Sequence, residues 1–95
     1  MGIDVKDYHH IALVVSDLKK CVRFYEAVLG LETIQRPDFG FPGHWFQVGE
    51  TSQLHLMVMN ETVAQTMRHI AIEVEDFSAA IKTLEAEGIQ ITEGP

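Results

Sequence analysis

Three histidines fall on strand-like stretches with the same parity: His10 opens HIALVV, His55 sits inside QLHLMVM, and His69 opens HIAIEV. Successive side chains on a strand point to opposite faces. If Ile11, Leu13 and Val15 cover a helix, His10 lies on the far side with Ala12 and Val14. The same rule sets Leu54, Leu56 and Val58 against His55, Met57 and Met59, and Ile70, Ile72 and Val74 against His69, Ala71 and Glu73. A neutral imidazole offers a nitrogen lone pair at no charge cost, and three of them with one carboxylate would suit Zn, Ni, Mn or Fe. A divalent metal held by His10, His55 and His69 is therefore the chemistry these residues point to. A lone strand histidine is more often a half-buried polar residue with one hydrogen bond; recurrence at equivalent positions is what raises this set above that reading. His9 falls on the opposite parity, and His44 sits at a strand mouth.

The recurrence is an internal repeat. At an offset of fifty-nine residues, seven of the eighteen positions from 10 to 27 are identical, including His10 with His69, Asp17 with Asp76 and Glu26 with Glu85. After a one-residue slip Gly30 meets Gly88. Such self-similarity marks duplicated supersecondary units.

Each copy has the elements needed to aim a strand histidine. In the first, a β-branched strand over 9–15 runs into Ser16 and Asp17, whose short side chains can cap a helix. Leu18, Cys21, Val22, Tyr25, Val28 and Leu29 recur at helical spacing, and Gly30 ends the helix as a left-handed residue. LETIQR, HWFQVG and QLHLMVM read as three more strands, separated by the loop PDFGFPG and the turn GETS. NETVAQT is polar linker. The second copy offers strand RHIAIEV, cap Asp76, a helix with Phe77, Ala80, Ile81 and Leu84, stop Gly88, and strand IQIT. The expected fold is α+β: residues 1–60 form a β-α-β-β-β module, and 67–95 begin a second that stops after β-α-β. If Phe46 and Val48 face the core, Trp45 and Gln47 join Met57 and Met59 in lining the histidine side. Phe39, Phe41 and His44 lie on a loop that could cover it or be a plain connection.

Bulk properties narrow the partners. Ninety-five residues with a net charge of −7 and only seven Lys and Arg argue against nucleic acid, which needs clustered cations. The single Cys21, set among Leu18, Val22 and Tyr25, excludes an internal disulfide and reads as buried filler. No stretch approaches the roughly 20 apolar residues of a membrane span, and MGIDVKDYHH lacks the apolar core of a signal peptide. A cytoplasmic protein is expected.

The pattern H-[IV]-A-x-x-V-x-D-[LF] ahead of the amphipathic FYEAVLGLE, then WFQVG and QLHLMV, resembles the vicinal oxygen chelate superfamily. That superfamily contains glyoxalases, extradiol dioxygenases, fosfomycin-resistance enzymes and bleomycin-resistance binding proteins. The resemblance implies paired β-α-β-β-β modules whose curved sheets enclose a metal and substrate cavity. It places His10 and His69 at the first-strand ligand positions of the two modules. His55 takes the fourth-strand position, a carboxylate in lactoylglutathione lyases. It also implies a closing Glu, which the repeat offset puts near position 114, past Pro95. A longer chain, or a partner chain pairing with the open sheet edge, would have to supply it. The implied function is a metal-dependent enzyme chelating neighbouring oxygens of a small-molecule substrate, a lactoylglutathione lyase-like isomerase or a dioxygenase. Glu73 is the candidate proton carrier, against the plainer reading of a solvated residue at a strand end. The alternative is a metal-free small-molecule binding protein of the bleomycin-resistance type. A homodimer is expected in either case.

Overall fold

The structure, a computed structural model, describes residues 2–60 and 68–92. The chain divides into two compact units, Met1–Val63 and Ala64–Pro95.

In the first unit, strand β1 (His10–Val14) leads into helix α1 (Leu18–Arg23), which continues as a π-helical turn over Phe24–Val28. Strands β2 (Glu32–Ile34), β3 (Gly43–Val48) and β4 (Ser52–Met57) follow. The sheet runs β1-β4-β3-β2, with β1 parallel to β4 and the other pairs antiparallel. A parallel pair needs a crossover, and α1 belongs to it. Asp17 caps α1 as expected, its carboxylate accepting from the Lys20 N–H at 3.1 Å.

Register explains why one face is core. Phe46 pairs with Leu54, and Leu13 and His44 both pair with Leu56. Phe46, Leu54 and Leu56 are the fully buried apolar side chains among the described residues, and the Tyr25 ring packs 5.9 Å from that of Phe46. At about 25 cal/mol per Å² of apolar surface removed from water, burying each of these side chains stabilises the unit by roughly 1.5–3 kcal/mol.

The first helix ends in a way its periodicity did not predict. Leu29 N–H reaches back five residues to Phe24 O at 3.0 Å, the π pattern, and Leu31 N–H bonds Tyr25 O at 2.9 Å. In the second unit, α2 (Phe77–Ala86) is capped by Asp76, which accepts from the Ala79 N–H at 3.0 Å. It closes with Ile89 N–H on Leu84 O and Gly88 N–H on Glu85 O, a Schellman motif around a glycine at φ +75°. From cap to stop the first copy is one residue longer, Asp17 to Gly30 against Asp76 to Gly88. The π turn absorbs that residue, so the slip in the repeat has a structural home.

The expected strands RHIAIEV and IQIT are not strands: residues 68–74 and 89–92 pair with no other segment among the described residues. A strand exists through its ladder partner, and the described residues offer these stretches none. The linker NETVAQT falls mostly outside the described residues. No helix among the described residues is long and apolar enough to cross a membrane.

Candidate functional site

The face of the sheet opposite the Phe46 row carries the site. On it His10 pairs with Gln53 and Gln53 with Gln47, Ala12 with His55 and His55 with Trp45, and Val14 with Met57 and Met57 with Gly43. Alternation along three strands thus puts His10, His55, Trp45 and Met57 on one side.

Three rings there form a stack. The His55 imidazole lies 3.8 Å from the Trp45 indole and 3° from parallel, and 4.1 Å from the His10 imidazole at 15°. His55 is 6% exposed, and its Nε2 donates to Gln53 Oε1 at 2.8 Å, leaving Nδ1 as the bare lone pair. Burial, and then the nearby charges of His10, His9 and Arg36, pull its pKa down to about 4. It is neutral at physiological pH, the state in which an imidazole can ligate a metal or accept a proton.

His9 joins this cluster. Its Nδ1 lies 2.8 Å from Nδ1 of His10, so one ring donates and the other accepts. Strand parity had set His9 on the other side, but it precedes β1. Its carbonyl accepts from Gln53 N–H at 3.2 Å, while no pleat on its N-terminal side fixes the side chain.

These rings border a cavity of about 380 Å³. Its other walls are Phe39, Phe41, Trp45, Leu56 and Met57, with Arg36 among them. Gln47 and Met59, expected in the lining, are not part of it. Gln47 Nε2 donates to Gly49 O at 3.1 Å, and Met59 is 43% exposed beyond the end of β4. His44 lies on the opposite face beside Phe46, ring centroids 4.7 Å apart. There it donates to Thr33 Oγ1 at 2.8 Å, which donates on to Glu26 at 2.6 Å. Phe39 and Phe41 do border the cavity, so the loop before β3 forms part of its wall without His44. Cys21 is outside it, and burial pushes its thiol pKa up, which suits filler.

Sequence reasoning missed Arg36 as well as His9. Arg36 Nη2 donates to Phe41 O at 3.0 Å, and its guanidinium carbon sits 5.1 Å from the centroids of both Phe39 and Phe41. The available signal was a lone arginine in RPDFGF, two and four residues ahead of Asp38 and Gly40 and close to two phenylalanines. Its route back to the sheet depends on tertiary contact.

The second unit holds His69 and Glu73, both exposed there. Among the described residues no three His, Cys, Asp or Glu side chains gather around one point. His10 and His55 each carry a ring nitrogen, and their near-parallel stacking keeps those nitrogens from converging on one point.

Comparison with known proteins agrees with this architecture. Residues 7–95 match the family model described as the glyoxalase/bleomycin resistance protein/dioxygenase superfamily. Human mitochondrial methylmalonyl-CoA epimerase is 30% identical over 95 residues, covering 86% of this chain and 54% of the relative. The mouse protein is likewise 30% identical, over 86% of this chain and 53% of its own length. The chain thus spans about half the length of the curated relatives it matches. Among solved structures, a glyoxalase family protein from Bacillus anthracis superposes with a TM-score of 0.84 at 21% identity, covering 95% of this chain and 76% of that one. The fosfomycin resistance protein FosX of Listeria monocytogenes gives 0.76 at 23% identity, over 97% and 74%. At these identities the two structures speak to fold alone.

Proposed function

Because the chain belongs to the glyoxalase/bleomycin resistance protein/dioxygenase superfamily, we propose that it is a metal-dependent enzyme acting on a small oxygen-rich molecule in the His10–His55 cavity. The observation that carries this reading is the stacked, neutral His55 beside His10 on the wall of that cavity. Within the first unit His10 and His55 would hold the ion, and the sequence repeat makes His69 a further candidate ligand. When bound, a divalent cation stabilises negative charge developing on neighbouring substrate oxygens.

The chain's own residues supply the rest. Gln53 holds His55 in one tautomer by accepting its Nε2 proton, and His9 pairs with His10 through their Nδ1 atoms. Trp45 and Met57 wall the substrate and keep water from the imidazoles, with Gln47 further out on the same sheet face and Met59 past the end of β4. Glu73 is the proton carrier in this reading. Of the isomerase and dioxygenase branches we favour the isomerase, since the curated relatives are epimerases, whose reaction inverts a stereocentre. The working form is a homodimer.

The test is proton exchange. Methylmalonyl-CoA incubated in D2O with the chain and Co, Mn, Ni or Zn should lose its α-proton signal by NMR, and His10→Ala and His55→Ala should abolish the loss. A folded chain that exchanges no proton with any of the four metals contradicts the isomerase reading.

One observation favours a metal-free binding protein instead. The cavity is walled largely by aromatic and aliphatic side chains, and its two facing imidazoles are stacked. Tight ligand binding unchanged by chelator, in a chain that takes up no metal, would select that alternative.

A further inference from the structure

We propose that Arg36 makes this cavity a carboxylate-binding pocket, so that the ligand it takes is a small organic acid with a flat or apolar body. The proposal deepens the functional reading above and rests on the cavity being the ligand site, but not on the metal.

The first observation is a local reversal of charge. The chain carries fourteen Asp and Glu against seven Lys and Arg. Among the described residues that line the cavity there is no carboxylate, while Arg36 and three imidazoles are present. A cation in a partly dry concavity attracts anions more strongly than the same charge on an open surface.

The second is that, among the described residues, Arg36 is held in place without being neutralised. Its partners are a carbonyl, Phe41 O, and the two phenyl faces of Phe39 and Phe41. None carries a full negative charge. Nε is buried with no hydrogen-bond partner. Gly43 makes room for the group: a Cβ there would stand 2.7 Å from Nε and Nη2 of Arg36 and 2.6 Å from Leu56 O. A guanidinium fixed this way has already lost its rotamer freedom, and its planar fork matches a carboxylate. Its positive charge also reaches across the cavity and contributes to keeping His55 neutral.

The third is the aromatic wall beside the charge. Trp45 stands 6.0 Å from Phe39, and Phe39 stacks on Phe41 at 5.9 Å. These faces, with Met57, fit the apolar part of a ligand whose acid group sits on Arg36. A merely structural Arg36, tying the loop to the sheet, would show no preference between a charged ligand and its neutral isostere.

Trp45 is the sole tryptophan, so its fluorescence reports on the cavity. The full chain is titrated with benzoate and with benzamide, in chelator and again after zinc loading. Arg36→Gln and Arg36→Lys are run in parallel, with circular dichroism as the folding check and metal content measured for each. Benzoate should bind the wild type roughly tenfold or more tighter than benzamide, as expected of a charge-assisted contact, and added salt should weaken it. Arg36→Gln should erase that preference and leave benzamide binding unchanged, with Arg36→Lys in between. Equal binding of benzoate and benzamide by the wild type overturns the proposal even if the variants misfold. A benzoate preference that survives in Arg36→Gln does the same. Selectivity that persists in chelator, in a chain that takes up no metal, upholds the carboxylate pocket and defeats only the metal reading. Benzoate binding that needs zinc and ignores Arg36 defeats the pocket and leaves the metal reading standing.

Discussion

The imidazole of His55 lies flat on the indole of Trp45, centroids 3.8 Å apart and planes 3° from parallel. The contact couples a cavity wall to the protonation of the residue behind it. The indole covers one face of the imidazole, and burial is the main cause of its low basicity.

Trp45→Ala should therefore let the His55 pKa climb from about 4 back toward its ordinary 6.5, whereas Trp45→Phe, which keeps a flat apolar face, should leave it low. Histidine NMR titration of both variants measures this. The alanine variant should also lose about 2 kcal/mol of stability in urea denaturation, as large-to-small changes beside a core do.

The same depression predicts how stability depends on pH. Because the folded pKa of His55 lies below the unfolded value, the unfolded chain binds a proton between about 6.5 and about 4 that the folded chain refuses. The contribution is complete above that window and is lost as pH falls through it. Urea midpoints in chelator should drop from pH 7 to pH 5, and His55→Gln should show a shallower drop.

Gly43 faces two obstacles, a backbone oxygen and the Arg36 guanidinium, each under 3 Å from where a Cβ would sit. Its backbone is not left-handed, so the cost of a methyl group there is steric alone. Gly43→Ala should lose about 1–3 kcal/mol, read by thermal or urea unfolding. It should also weaken any ligand whose binding depends on Arg36, since the guanidinium has to yield.

Local signals read well from sequence wherever local physics decided the outcome. Asp17 and Asp76 cap their helices, and Gly30 and Gly88 end them at positive φ. Strand alternation set His55, Trp45 and Met57 on one face, because the pleat enforces a period of two inside a hydrogen-bonded ladder. The same rule misplaced His9, one residue outside the ladder. It also credited RHIAIEV and IQIT with a strand state that only a pairing partner could confer. The π turn was visible solely as the one-residue slip between the two copies. Arg36 was invisible, since nothing in RPDFGF says that the loop folds back to lay a guanidinium beside β3.

Whether His10 and His55 form one half of a metal grip is decided by elemental mass spectrometry of the untagged chain purified without chelator. The expected result is about one divalent transition metal per chain, lost in His10→Ala and in His55→Ala while both variants stay folded. A folded wild-type chain that carries no metal, and acquires none on dialysis against zinc, nickel or manganese, would contradict it.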